Sequence, residues 1–488
     1  MAYCFGTDHC EFLAQKRAHL ICHFIFNQFI VLQNIIMSKI YDFPVSFNLL
    51  RRYVLFMFKR YYSDFIVVGK ENIPENTPLI FAPNHVNALM DAIAVHAVVP
   101  RNLPLIFLAR ADIFRNITAA RFLRFTKILP AFRMRDGIEK LGNNADIFNQ
   151  CIEILHNNAA LGIMPEGNQE IERKLQTLVK GIFRIAFAAQ QKFGTEPGVK
   201  IIPIGLDYGS IFKSQKHIII SVGKAIEVSE YMNLYSENQV KATNELREKL
   251  RNDLSDITLN LATDLNYESF EYVVSIVQKP VLEDLKLADT IYNRFVARQN
   301  VAQRLVTLEK NLPLEMLKLN DLSFEYQKLL SQLNLNSKSI ENAKPKKSIF
   351  GIEMLMLLVS IPAFVSGFIL NFAPFFSPVY IRKYIMKTKY NGFFSSLQFG
   401  LSLLTFPFFY FIQTLLFWAF VSSLWWAVLL FFVAQYPLGK LALSCYKKAV
   451  KWWANIRLLN LSKEKTIQLK EAEVLYNQIV DIVLMGKN

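Results

Sequence analysis

From Asp64 to Val228 short apolar runs alternate with stretches whose apolar residues recur at helical spacing. The runs "FIVVG", "PLIFAP", "LPLIFLAR", "LGIMPEG", "VKIIPIGLDYG" and "HIIISVGKAIEV" predict buried strands. "NALMDAIAVHAVV", "ITAARFLRFTKI", "GIEKLGNNADIFNQCIEILHNN" and "TLVKGIFRIAFAAQQKFG" predict helices, the last closed by a glycine. This is the alternation of an α/β domain. In such sheets ligands bind at the carboxyl ends of the strands, and the polar residues here fall in the loops that follow strands. From Ser229 to about Asn342 the chain turns charged and helical, with heptad-like spacing in "ATNELREKLRNDLSDITLNLATDL". A lid, an oligomer contact or a spacer are all compatible with that region.

Two long apolar runs follow. Ser348 to Phe376 contains one charge, Glu353, and Ser396 to Gly439 contains none. A membrane span takes about 20 apolar residues, so the second run predicts two spans joined by a turn near Ser422 and Ser423. Lys344, Lys346 and Lys347 precede the first run; Arg382, Lys383, Lys387 and Lys389 follow it; Lys440, Lys447 and Lys448 follow the second. Such clusters favour the cytoplasmic side. A hairpin satisfies that preference and a single straight crossing does not. The first run is therefore expected to be a re-entrant or kinked hairpin helped by Pro362, Gly367 and Pro374, with three ordinary spans as the alternative. Residues 48–62, "NLLRRYVLFMFKRYY", suit an amphipathic helix at a bilayer interface or a surface helix covering the core. Residues 1–36 are apolar but broken by His23, Asn27, Gln28, Gln33 and Asn34, and lack a small-residue cleavage site. They read either as a weak anchor helix or as an extension upstream of a start at Met37. The expected division is an N-terminal extension and interfacial helix (1–63), an α/β domain (64–228), a helical domain (229–342), a membrane region (343–450) and an amphipathic C-terminal helix (451–488).

Composition adds a partner. The 488 residues suit two or three domains, and 52% are hydrophobic, which points toward a membrane. Net charge is +15; residues 342–488 hold 16 Lys/Arg against 5 Asp/Glu, a local +11. Basic surplus beside apolar runs attracts anionic lipid headgroups. Nucleic acid is the rival partner for a basic chain, and no basic helix free of apolar runs or RNA-binding signature supports it. Cys4, Cys10, Cys22, Cys151 and Cys445 are scattered and lack metal spacing, so they read as free thiols in a reducing compartment.

The loop chemistry starts at "APNHVNALMDAIAV". His85 follows a strand, Asn87 suits the helix N-cap, and Asp91 lies one turn into the helix. Helical side chains lean toward the N-terminus, so Asp91 can hold one ring nitrogen of His85 and leave the other as a proton acceptor. A capping histidine beside an unrelated aspartate fits the same residues. "KILPAFRMRDG" adds Arg133, Arg135 and Asp136, and "GIMPEGNQEIERK" places Glu166-Gly167 in a turn with Arg173 and Lys174 downstream. Arginine forks and the point charge of Lys180 suit a phosphate. Pro203 sits in a strand-like run and suits an edge or a strand end. His96, His156 and His217 read as ordinary structural or surface histidines, and no ligand cluster suggests a metal.

In this order the four stretches resemble the glycerophospholipid acyltransferase family over about residues 64–228. That family carries His-x4-Asp, usually after Asn; here "NHVNALMD" has five residues between His85 and Asp91. The longer spacing resembles the fungal-type glycerol-3-phosphate and dihydroxyacetone-phosphate acyltransferases. "ILPAFRMRD" is similar to the second block, which implies that Arg133 and Arg135 grip an acceptor phosphate, and "FLARADIFRN" implicates Arg110. "MPEGNQE" matches Pro-Glu-Gly at Glu166 and Gly167, which implies that Glu166 seats the acceptor's hydroxyls; Asn168 and Gln169 depart from the family's pattern. Ile202-Pro203 is similar to the fourth block, thought to line the acyl donor's path.

The resemblance implies an α/β acyltransferase domain with a mixed sheet flanked by helices, a helical insertion and a C-terminal helical membrane region. It implies direct transfer from acyl-CoA or an acyl carrier protein to glycerol 3-phosphate or dihydroxyacetone phosphate. No metal or bound cofactor is expected, and no Gly-x-Ser-x-Gly elbow is present. The catalytic domain of this integral membrane protein is expected on the cytoplasmic face. A lysophosphatidate or other lysophospholipid acceptor is the alternative, and a membrane scaffold with an inactive acyltransferase domain is the alternative of another class.

Overall fold

A computed structural model describes residues 39–131, 143–194, 198–335, 350–388, 390–464 and 466–486. The extension at residues 1–36, Arg133 and Arg135 lie outside them. Helix α1 (Val45–Tyr61) leads into β1 (Phe65–Val68), β2 (Leu79–Pro83), α2 (Leu89–Val98), β3 (Leu105–Arg110), α3 (Ile117–Phe125), β4 (Ile128–Ala131), α4 (Asn143–His156) and β5 (Ala160–Gly162). Then come α5 (Gly181–Phe193), β6 (Lys200–Tyr208), β7 (Ile218–Val222) and β8 (Ile226–Glu227). The strands form one sheet in the order β1-β7-β6-β2-β5-β3-β4, with β8 against β6. Every pairing is parallel except those of β6 with β7 and β8. The sheet is therefore mixed and flanked by helices, and β2 to β6 all end at one edge.

Period-two alternation divides the strands between two cores. Ile80 and Ala82 of β2 and Ile106 of β3 pack with α4 and α5, whereas Leu79, Phe81, Leu105 and Phe107 pack with α1 and α2. Close packing leaves no room for a side chain at Gly162, where a Cβ would stand 2.3 Å from the Phe107 ring. The helix expected through Ile128 ends at Phe125, because Lys127 takes a positive φ of 66° and releases Ile128 into β4.

Pro203 corrects another expectation. It lies mid-strand in β6, between β2 and the β7–β8 side, and is not at an edge. Lys200 donates its N–H to Pro78 O and Asn84 its N–H to Ile204 O, so even-numbered residues of β6 bond β2. Pro203 faces the other way, opposite the break between β7 and β8, where Gly223 N–H donates to its carbonyl. A missing N–H leaves no rung of the ladder broken there.

Helix α6 (Met232–Glu237) leads into α7 (Gln239–Ile257), whose Ala242, Leu246, Leu250 and Leu254 are spaced four apart and bury into the α4–α5 core. A second core begins with α8 (Tyr267–Ile276), α9 (Gln278–Asp284), α10 (Ile291–Asn311) and α11 (Pro313–Gln332). The C-terminal helix docks there through Ala472, Ile479, Ile482 and Val483.

Among the described residues three helices are long and apolar enough to cross a membrane. They are α12 (Phe350–Tyr380), α13 (Phe394–Phe420) and α14 (Trp425–Glu464), followed by α15 (Thr466–Met485). From Phe350 the first run is one helix and does not reverse. Pro374 and Pro378 free carbonyls four residues upstream, and side chains of α13 take them up: Gln413 Nε2 donates to Leu370 O at 2.9 Å and Thr405 Oγ1 to Pro374 O at 3.2 Å. The helix persists because another helix replaces the lost bonds.

Candidate active site

The site grows from the strand ends. β2 delivers Asn84 and His85, and Asn84 locks the exit by accepting the Leu206 N–H at 2.7 Å from β6. Helix α2 starts at Leu89, two residues later than expected, with Ala88 at φ 44° as its N-cap residue. The fifth residue between His85 and Asp91 is thus absorbed in the loop. Added inside the helix, it would have turned Asp91 about 100° away.

Asp91 is completely buried and His85 keeps 19% of its side chain exposed, so the base is reachable and its partner is not. His85 Nδ1 lies 2.9 Å from Asp91 Oδ2. With the proton on Nδ1, Nε2 is left as the acceptor. The same Oδ2 accepts the Asn87 N–H at 2.7 Å, and Oδ1 accepts the Tyr208 hydroxyl at 2.6 Å. Three donors converge on one buried carboxylate. Burial, then Asp91 beside it, pushes Tyr208 well above the usual phenol value, so it stays a donor.

Glu166, in the loop after β5, approaches from the other side. Its Oε1 accepts the His85 N–H at 3.0 Å and its Oε2 the Gln176 N–H at 3.2 Å. Burial pushes its carboxyl up to about 7, against the lowering effect of those two donors. Gly167 turns the loop at φ 69°, and Val179 packs where its Cβ would be, 2.9 Å away, so glycine is required twice over. Beyond Glu166 opens a cavity of about 260 Å³, lined in part by Asn84, Glu166, Arg173, Lys174 and Asp207.

A charged cluster backs this cavity. Asp207 meets Arg173 at 3.2 Å and Arg298 of α10 at 2.7 Å, with His217 at 3.7 Å. Burial alone would raise the Asp207 carboxyl, but Arg298 and Arg173 outweigh it and hold it far below the usual carboxylate range. Arg173 also donates to Tyr208 O at 2.8 Å, so the cluster leads directly to the residue that holds Asp91. Lys174 is bound to Asp264 and Thr263 O.

The structure brings His85, Asp91, Glu166 and Gly167 together. Arg110 ends β3 at the same sheet edge but is exposed and paired with Asp112. Lys180 is exposed at the start of α5, and Pro203 lies in the sheet. Among the described residues no group of three or more His, Cys, Asp or Glu could hold a metal. His96 is half-buried at the end of α2 and pushed down to about 3 by burial and then by Arg51, so it is a neutral, structural histidine. Tyr208, Asn87 and Gln169 were not singled out from sequence as working residues. Tyr208 and Asn87 carried a signal only in lying at strand ends and in the loop beside the His–Asp pair.

A family model described as Acyltransferase matches residues 64–207. Glycerol-3-phosphate O-acyltransferase 1 of Saccharomyces cerevisiae is 27% identical over 135 residues, 27% of this chain. The match covers 17% of that protein's length. Among solved structures, the 1-acyl-sn-glycerophosphate (LPA) acyltransferase PlsC of Thermotoga maritima aligns at 19% identity over 47% of this chain and 86% of that one. Its TM-score of 0.32 is too low to bear on this fold or its function. Between residues 64 and 207, then, the chain carries an acyltransferase domain.

Proposed function

We propose that the protein moves a fatty acyl group from a thioester donor to a hydroxyl of glycerol 3-phosphate or dihydroxyacetone phosphate. The observation that carries this reading is the 2.9 Å contact of His85 with a buried Asp91, one strand away from Glu166 and the cavity. His85 Nε2 takes the proton of the acceptor hydroxyl as its oxygen attacks the thioester carbonyl. The tetrahedral intermediate collapses, an ester forms, and the thiolate leaves with the proton that His85 returns. Asp91 stabilises the imidazolium between these steps. No covalent enzyme intermediate is involved.

The resemblance assigns Arg133 and Arg135 to the acceptor phosphate. Arg173 and Lys174 line the cavity beside Glu166, held there by Asp207 and Asp264. Glu166 seats the acceptor hydroxyls. The donor is acyl-CoA or an acyl carrier protein, with no bound cofactor. The basic flanks of the membrane helices orient the domain to the cytoplasmic face, where a lipid product enters the bilayer without crossing water.

The test incubates protein reconstituted in lipid nanodiscs with acyl-CoA or acyl carrier protein and, in turn, glycerol 3-phosphate, dihydroxyacetone phosphate and lysophosphatidate. Ester formation on one of the first two, abolished in His85→Ala with folding and membrane insertion intact, is expected. Activity on lysophosphatidate alone would transfer the reading to a lysophospholipid acceptor. Full activity in the variant would remove His85 as the base, and no activity with any acceptor leaves the scaffold reading.

A further inference from the structure

Residues 390–396, which lead into α13, touch the catalytic loop itself. Ser395 Oγ donates to Asn87 Oδ1, and Ser396 Oγ donates to Asn87 O at 3.1 Å. All three side chains are buried. Asn87 in turn gives its N–H to Asp91 Oδ2, the oxygen that faces His85. On the neighbouring residue, Gln169 Nε2 bridges Val86 O at 3.3 Å and Gly392 O at 2.9 Å, while Tyr390 OH donates to Gln169 O at 3.1 Å. The two residues after His85 are therefore held from the membrane side, one directly and one through Gln169. Further along α13, Phe399 joins the core that contains Met90 of α2 and Phe58 of α1, and Tyr53 OH donates to Leu403 O at 2.6 Å.

From this juxtaposition we propose that Ser395, Ser396 and Gln169 are positioning residues through which the seated membrane helix holds the His85–Asp91 pair in register. The inference rests on the acyl-transfer reading above and adds its dependence on the membrane region. It also gives a physical role to the departure at Gln169. The extra residue of the His–Asp spacing lies in the loop and has no helix to order it. Two serine hydroxyls and one amide supply that order. Small displacements of a general base cost much of its rate, so loosening this junction lowers turnover more than it lowers binding.

The experiment uses the full chain in nanodiscs and reads two quantities: kcat and KM for the acceptor, and hydrogen exchange of the segment 84–91. Ser395→Ala with Ser396→Ala is expected to lower kcat about 10- to 100-fold with KM changed less than about threefold, and to speed exchange across residues 84–91. The Ser395→Thr, Ser396→Thr pair keeps both hydroxyls and is expected to recover most of the rate. Gly392→Ala reaches the junction from the other side, because its Cβ would stand 2.6 Å from Gln169 Nε2 and 2.5 Å from the Tyr390 ring. It too is expected to lower kcat and speed that exchange. Wild-type kcat and exchange in either the double-alanine or the Gly392→Ala protein overturns the proposal. Should the wild type transfer no acyl group, the functional reading fails, while the exchange comparison still decides whether the membrane segment orders the loop.

Discussion

Two of the described polar clusters, one at the strand ends and one among the membrane helices, are built from different chemistry. At the strand ends the centre is a carboxylate, with donors from an imidazole, a phenol and a peptide N–H. Among α12, α13 and α14 every member is neutral. Asn371 donates to Gly367 O and Gln435 O and accepts from Tyr410 OH at 2.6 Å, and Gln435 Nε2 donates to Thr414 Oγ1 at 3.0 Å. Gly367 and Gly439 let the helices close around it: a Cβ on Gly367 would stand 2.1 Å from Leu438 O, and one on Gly439 2.5 Å from Asn371. An ion in the bilayer is costly, so amides and hydroxyls join helices there. A charge is tolerated at the strand ends because polar donors converge on it, and one nitrogen is left over for chemistry. The first cluster keeps a group that can change its proton; the second has none and serves only to hold helices together.

His85→Ala breaks the comparison most sharply. It should cost about 10⁴ in kcat, the upper end for a general base, with membrane insertion and thermal unfolding unchanged. Glu166→Gln tests the ionic side through pH. Because burial holds the folded carboxyl near 7, above its ordinary value of 4.5, wild-type stability gains its full contribution below about pH 4.5 and loses it as pH rises through about 7. The loss is on the order of 3 kcal/mol. Denaturant midpoints between pH 4.5 and 8 should fall in the wild type and stay level, for this contribution, in Glu166→Gln.

Tyr208→Phe removes one donor to Asp91. A hydrogen bond to a charged group contributes about 1.5–3 kcal/mol, so kcat should fall about 10- to 100-fold. Asn371→Leu sharpens the neutral side. It should cost about 1–2 kcal/mol of bundle stability, read as a lower unfolding temperature in detergent, with kcat per folded molecule within about twofold. A large loss of kcat there would show that the two clusters are energetically one.

Much of the strand-end site was legible because it is local. His85 and Asp91 sit on one loop and one helical turn, and Glu166-Gly167 in one strand-to-helix turn, so spacing and residue type were enough to single them out. The apolar runs were legible as strands for the same reason: burial on both faces of a sheet demands them. What misled were statements about neighbours. Pro203 looked like an edge residue, because nothing along the chain shows that β7 and β8 leave a gap opposite it. The prolines of α12 looked like a reversal, because the side chains that take up the freed carbonyls come from α13, more than thirty residues on.

Hydrophobic period, loop chemistry and basic flanks, all properties of consecutive residues, thus decided by themselves that there is an α/β domain with a histidine and a carboxylate in reach, followed by apolar helices. Only the tertiary structure decided that Tyr208 shares that carboxylate, that Arg298 from α10 braces Asp207, that α7 belongs to the first core, and that Ser395 and Ser396 hold the catalytic loop. Each of these joins residues far apart in sequence. Such contacts are selected by which surfaces pack together when the whole chain folds, and a linear pattern carries no record of that choice.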